Sequence, residues 1–340
     1  MKKNITGALS WKSRMILMLL PLIAVVAALA IGRMVVPVEY IFTSIGEKLG
    51  FQTELMENYE SVLWKFRLPR ILLSLLVGAG LSVSGCAFQS LFSNPLATPD
   101  TLGVASGASF GAALALLLGF GLLGVQASAL VFGILAVGLT YLSGAGRGKS
   151  TMGMMILAGI MVGSLFTALI SLVKFVADTE AQLPVITYWL MGSMNSAGYG
   201  SLLLGAPPII LGIIILYLLR WRLNILPLSD DEARSSGINV TAIRIVTVLC
   251  ATAVTASCVS MCGQVGWVGL LVPHLCRMKY GANHLSLIPA SVSVGATFMV
   301  LVDTVARSVS AAEIPVSILT AIIGAPFFIL LMHKGRGWQV

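Results

Sequence analysis

Charge is what this chain has least of. Only 10% of its 340 residues are charged, against 57% that are hydrophobic, and histidine occurs three times. A soluble protein of this length forms one or two domains with charge spread over their surfaces, whereas here charge is confined to short segments between apolar runs, which excludes that class. Cysteine is scarce and odd in number. Cys86, Cys250, Cys258, Cys262 and Cys276 all fall in or near apolar stretches, which argues against a disulfide framework. Cys258 and Cys262 share a helical face, but no histidine or carboxylate lies near them in sequence, so they read as packing residues and no metal site is expected. The net charge of +8 comes without basic residues clustered among aromatics, so it does not point to nucleic acid. Nor is there a serine, histidine and acid arrangement or a metal cluster near an interface, which leaves no catalytic residue to name and makes a membrane enzyme the weakest reading.

What is present is a succession of long apolar runs, and a crossing helix needs roughly 20 predominantly apolar residues. Ten spans are predicted, over 15–36, 69–92, 101–120, 124–143, 152–175, 201–219, 242–262, 265–278, 286–307 and 316–332. The expected fold class is all-α integral membrane, with one polytopic domain over 1–340. The first run follows Lys2, Lys3, Lys12 and Arg14 and superficially resembles a secretory signal, but it exceeds the usual ~7 to 15 residues of a signal core and reads as a retained span. Alternating ten spans puts those four residues with Arg147, Lys149, Arg220, Arg222, Arg234, Arg244, Arg277, Lys279, Lys334 and Arg336 on one side, fourteen of the twenty-one basic residues. Glu39, Glu47, Glu54, Glu57 and Glu60 of the long first loop fall on the other. The positive-inside bias therefore places both termini, and a compact polar insert at 224–238, in the cytoplasm.

Small residues stud the spans, as in Gly78-Ala-Gly80, Ser82-Val-Ser-Gly85, 103–111 and 159–163, and let helices approach closely. Pro207, Pro208, Pro273, Pro289 and Pro326 interrupt apolar stretches and predict discontinuous helices facing protein or a water-filled path. Gly144-Ala-Gly-Arg-Gly-Lys-Ser-Thr151 looks like a phosphate-binding loop, but Ser143 stands where the first glycine is required and no strand precedes it, so the chain has no nucleotide site of its own. An ionisable residue deep in a membrane segment costs roughly 2.5–3.5 kcal/mol on insertion scales. Asp303 is the one expected to be deep, and an internal pair with Arg307 at i+4 is the favoured role, with proton coupling as the alternative. His274, after Pro273, reads as a structural hydrogen-bonding residue, a gate role being the alternative.

Arg67-Leu-Pro-Arg70, Gly78-Ala-Gly-Leu-Ser-Val-Ser-Gly85, Gln89, Asn94-Pro-Leu-Ala97, Pro99-Asp100 and Leu102-Gly103 resemble the permease subunit of ABC importers for iron-siderophores, haem and cobalamin. The match continues through Tyr188-Trp-Leu-Met-Gly-Ser193, Gly266-Trp-Val-Gly-Leu-Leu-Val-Pro-His274, Arg277, Asp303-Thr-Val-Ala-Arg307, Glu313-Ile-Pro315 and Leu319-Thr-Ala-Ile-Ile-Gly-Ala-Pro326. The chain departs from the family pattern at Asn283-His284-Leu285, where Asp-His-Arg is common, and at Ser317, where glycine is usual.

The resemblance implies the type II importer permease fold with ten helices per subunit in the bacterial inner membrane. Its partners would be a second permease subunit, two cytoplasmic ATPases that bind ATP and Mg, and an external substrate-binding protein; no cofactor is expected in this chain. It assigns binding-protein docking to Arg67, Arg70 and Arg307, and ATPase coupling to Leu228, Ser229, Asp230, Asp231, Glu232, Ala233, Arg234, Ser235, Ser236 and Gly237. The family's inner constriction falls on Ser150, Thr151, Met152 and Gly153. The commonest cargo, iron-siderophore, is the expected one, with haem and cobalamin behind it. An ion-coupled secondary transporter is the rival class, though the sequence lacks a set of buried coupling carboxylates.

Overall fold

The computed structural model describes residues 9–48, 50, 57–144, 152–228, 232, 237–310 and 312–334. Thirteen α-helices are numbered here: α1 Trp11–Ala30, α2 Val38–Lys48, α3 Glu57–Ser61, α4 Leu68–Leu91, α5 Val104–Leu117, α6 Leu122–Gly144, α7 Met152–Val176, α8 Gln182–Leu190, α9 Tyr199–Leu218, α10 Val240–Cys262, α11 Val268–Tyr280, α12 His284–Val309 and α13 Val316–Lys334. Seven helical stretches are long and apolar enough by themselves to cross a membrane, and α5 and α13 are shorter apolar helices. With α11, they recover the ten expected segments.

Local chemistry sets the ends. The side chains of Ser10, Asn239 and Asn283 each accept a backbone N–H in the first turn of α1, α10 and α12, which satisfies donors that no carbonyl of the helix can reach. Gly263 (φ 75°) ends α10 and Gly281 (φ 87°) ends α11. The second span differs from its expected start at Pro69, because Glu57–Ser61 and a π-helical turn, Val62–Arg67, run continuously into α4. Proline has no N–H to donate, and the wider turn just before it carries the helix across that gap.

The prolines correct another expectation. Pro207, Pro208, Pro273, Pro289 and Pro326 all lie inside continuous helices, and the breaks occur elsewhere. One is 92–103, where the chain passes through a 3-10 turn, Pro99–Leu102, to Gly103 at φ 74°. The other is 263–267, which ends on Trp267 in the left-handed region at φ 69°. The two breaks lie against each other, since a Cβ on Gly269 would meet Pro99 Cδ at 2.9 Å. Irregular backbone is tolerated at membrane depth where protein or a cavity receives it.

α4 is the central element. It is buried over most of its length and packs on α9, α10, α11 and α12, while α1, α6, α7 and α9 leave most of their surface open. Glycine makes two of the closest crossings possible. A Cβ on Gly78 would lie 2.1 Å from the Gly295 carbonyl oxygen of α12, and one on Gly85 would lie 1.8 Å from that of Gly269 in α11. Lipid supplies no hydrophobic drive between helices, so this close van der Waals contact holds the bundle together. Several buried hydroxyls of the core satisfy themselves locally. Ser74, Thr255, Thr297 and Thr304 each donate to the carbonyl four residues back, at 2.7–2.9 Å.

Candidate functional site

At one end of the bundle the start of α4, the end of α12, the end of α1 and the 310–315 segment converge on a charged cluster. Arg70 is the hub. Its Nε donates to both carboxylate oxygens of Asp303 (2.9 and 3.0 Å), its Nη2 to Asp303 Oδ1 (2.8 Å), and its Nη1 to both oxygens of Glu313 (3.1 and 2.9 Å). Glu313 reaches this position from a left-handed backbone conformation, φ 53°. Arg307 stands farther from Asp303, with Nε at 3.9 Å, and donates through Nη2 to the Ala28 carbonyl. The expected i, i+4 pair is therefore the weaker half of the arrangement. Asp303 is paired chiefly across helices with Arg70, whose planar fork matches a carboxylate where a single-turn contact does not.

Arg67 has no carboxylate partner in this cluster. It donates to the carbonyls of Leu29, Ala30 and Met34, where α1 has ended and left those oxygens without intrahelical partners. All three arginines assigned to docking are thus brought together, and all three are buried: Arg67 at 5%, Arg70 at 9% and Arg307 at 8% exposure. They still line a cavity of about 340 Å³ together with Arg33, Asn195 and Glu313. Arg33 is the member that sequence reading missed. Its half-exposed guanidinium donates to the Ser310 carbonyl at 3.0 Å and lies 3.9 Å from Glu313. The signal available was a charge inside the predicted first span, 15–36.

At the other end, Leu228 is exposed, Glu232 is helical and exposed, and Gly237 adopts φ 71°, a left-handed conformation that suits a helix stop. Ser229, Asp230, Asp231, Ala233, Arg234, Ser235 and Ser236 lie outside the described residues, as do Ser150 and Thr151 of the expected constriction. Met152 opens α7, and Gly153 is exposed, with open space where its Cβ would be.

Between the two ends, the breaks create a third feature that the sequence did not announce. Asp100 lies on the 3-10 turn beside the middle of α7, where a Cβ on Gly159 would meet the Thr101 carbonyl oxygen at 2.0 Å. It lines a cavity of about 300 Å³ with Thr98, Gln264 and Trp267, and accepts weak hydrogen bonds from Ser106 N and Oγ at 3.3 and 3.4 Å. Asp100 is exposed, so Asp303 remains the one buried carboxylate among the described residues. His274 also departs from expectation. Its ring packs beside Phe327 and Phe328, with centroids 6.5 and 5.4 Å away, and neither ring nitrogen has a hydrogen-bond partner. Aromatic packing by α13 positions it, in place of hydrogen bonding. Ser317, where glycine was expected, donates to the Met191 carbonyl and ties α13 to the end of α8. Among the described residues no group of three or more histidine, cysteine or acidic side chains could hold a metal ion, and the five cysteines are unpaired.

Among the described residues, ten helical segments crossing at glycines on a central α4, with two broken segments at depth, define a polytopic membrane protein. The model of the FecCD transport family matches residues 19–334, and the chain belongs to that family. It is 43% identical over 318 residues to the molybdate import system permease protein MolB of Haemophilus influenzae, covering 94% of each chain. It is 37% identical over 286 residues to a protein of Helicobacter pylori (strain ATCC 700392 / 26695) named "Probable iron chelatin transport system permease protein", covering 84% of this chain and 86% of that one. A solved structure described as an inward-facing conformation of a metal-chelate type ABC transporter is 42% identical, with a TM-score of 0.84 over 94% of this chain and 97% of its own. The chain is therefore an ABC importer permease with the type II fold, a multi-pass inner-membrane protein of a class that works with ATP-binding subunits and a binding protein and lacks an ATPase site of its own.

Proposed function

We propose that two copies of this chain form the membrane path of an ATP-driven importer for a metal-bearing solute, and that the solute is molybdate. The observation that carries the cargo is the 43% identity over 94% of the chain to a molybdate permease, against 37% over 84% for the iron chelatin relative. Iron-siderophore is the second reading, favoured by the latter similarity. In this scheme the arginine end faces outward and both termini face the cytoplasm. The binding protein docks over the cavity edged by Arg33, Arg67, Arg70 and Arg307, where a net positive rim steers acidic side chains. The 224–238 insert, including Leu228 to Gly237, seats in a cleft of an ATPase that binds ATP and Mg. Residues 150–153 close the path on the ATPase side.

Arg70, Asp303 and Glu313 tie α4, α12 and the approach to α13 into one rigid outer rim, so a push on the insert moves these helices together. Uptake by cells lacking their own molybdate and siderophore permeases tests the cargo. With this chain and its partner subunits expressed, radiolabelled molybdate should accumulate and excess ferric siderophore should not compete. Accumulation of the ferric siderophore alone would reverse the two readings.

A further inference from the structure

At the insert end, α4, the Arg222–Ile225 turn, α11 and α12 surround an open cavity of about 630 Å³ lined by Gln89, Ser93, Asn94, Asn224, Arg277 and His284 among others, and no described residue lining it is acidic. Arg277 carries its charge into this cavity without a counterion. Its Nη2 donates to Gln89 Oε1 at 2.7 Å, its Nη1 is buried and has no acceptor, and no described carboxylate forms an ion pair with it. The guanidinium also fixes the Gln89 amide, since only the carbonyl oxygen can face a donor. That leaves Gln89 Nε2, on a side chain 3% exposed, with two N–H groups and no partner.

The opposite wall is fixed just as tightly. Asn224 Nδ2 donates to Asn283 Oδ1 at 3.1 Å, which turns Asn224 Oδ1 toward His284, where it accepts from the backbone N and from Nδ1 at 2.9 Å each. Nδ1 therefore holds the ring hydrogen, and Nε2 of a side chain 6% exposed is left without a partner. Gln89 and His284, both buried, and the part-buried Arg277 thus line one cavity and each holds an unmet polar atom, Arg277 being a cation whose guanidinium suits contact with an oxyanion.

We propose that this cavity binds a small tetrahedral oxyanion. Arg277 Nη1 and Gln89 Nε2 donate to it, and His284 Nε2 adds a third donor when the ring is protonated or accepts from a protonated oxyanion. Asn224 and Pro227 also line the cavity, so an occupant joins α4 and α11 to the root of the 224–238 insert. The site is distinct from the arginine cluster at the other end and does not depend on which cargo is carried. Phosphate-class chemistry reaches this position from a free anion or from a lipid headgroup.

The test uses the permease with its ATPases in nanodiscs and tungstate as the probe, with inorganic phosphate and sulfate as competitors. Saturable tungstate binding is expected, with density in this cavity beside Arg277 and Gln89. Arg277→Gln should weaken it at least tenfold, Gln89→Leu should weaken it less, and Lys174→Gln, in the last turn of α7, should leave it unchanged. Nanodiscs of phosphatidylcholine alone and with phosphatidylglycerol separate the sources: competition by the anionic lipid identifies a headgroup, and its absence identifies a free anion. Absence of saturable binding to the wild type in both lipids, density only in the arginine cavity, or unchanged affinity in both Arg277→Gln and Gln89→Leu would overturn the assignment.

Discussion

Asp303→Asn keeps the size of a side chain that is almost completely buried, 2% exposed, and removes its charge. Arg70 then loses the acceptor strength of three hydrogen bonds and keeps Glu313 alone, at 2.9 Å. Removing one partner of a buried pair typically costs about 3–5 kcal/mol, because the remaining charge stays out of water without compensation. Glu313 supplies part of that compensation, so Asp303→Asn belongs at about 3 kcal/mol, the lower end of that range. Arg70→Met is worse. It strands two carboxylates, with Arg307 at 3.9 Å from Asp303 and Arg33 at 3.9 Å from Glu313 as the nearest remaining cations, and belongs at about 5 kcal/mol. The double variant Arg70→Met with Asp303→Asn removes both charges and should cost less than the sum of the two single variants. Reversible unfolding in mixed micelles gives the three free energies and their coupling. If either single substitution costs under about 1 kcal/mol, or the double variant costs the sum of the two, the pair does not hold the outer rim as described.

Gly85→Ala should destabilise by about 3 kcal/mol or more, since its Cβ meets backbone that cannot yield, while Gly138→Ala, with open space around it, should gain about 0.5–1 kcal/mol of helix propensity; thermal unfolding in detergent separates them. Arg33→Glu should slow binding-protein association and flatten its salt dependence, because rim charges act through steering screened over ~8 Å at physiological salt; stopped-flow association across a salt series reads both. Lys48 and Glu60 are hydrogen-bonded at 2.8 Å, and that contact and their charges raise the lysine above its ordinary value and lower the glutamate below its own. The tie between α2 and the 57–61 turn is therefore complete at neutral pH, is lost as pH falls through the depressed Glu60 value, and is lost again as pH rises through the raised Lys48 value. Amide exchange over Val38–Lys48 should quicken at both extremes, and Glu60→Gln should abolish the acid limb.

Most of the ten membrane segments were legible because seven of them are apolar runs of the right length, and the glycines were legible as packing residues because small side chains have one common use between lipid-facing helices. Gly78 and Gly85 do make two of the closest crossings. The breaks were misplaced because proline is the loudest sequence signal for one, yet neighbouring helices absorb its missing hydrogen bond in α9, α11, α12 and α13. The real breaks depend on Gly103, Gly263 and Trp267 adopting left-handed conformations, which no run of residues advertises. Asp303 was visible as a buried charge, but its main partner lies 233 positions away, and only the fold brings Arg70 there ahead of Arg307. His274 was read as polar because histidine usually is. Phe327 and Phe328, which surround it, belong to a different helix.

The central claim is that this chain is a path driven by ATP hydrolysis on partner subunits and gated through the 224–238 insert. Reconstituted with its ATPases and loaded binding protein in proteoliposomes, the wild-type permease should accumulate labelled molybdate only with ATP and Mg on the ATPase side. The variant with Asp230, Asp231, Glu232 and Arg234 all changed to alanine should insert normally and lose both ATPase association and uptake. Uptake that persists without ATP and collapses with the proton gradient, or that survives unchanged in the insert variant, would contradict the account.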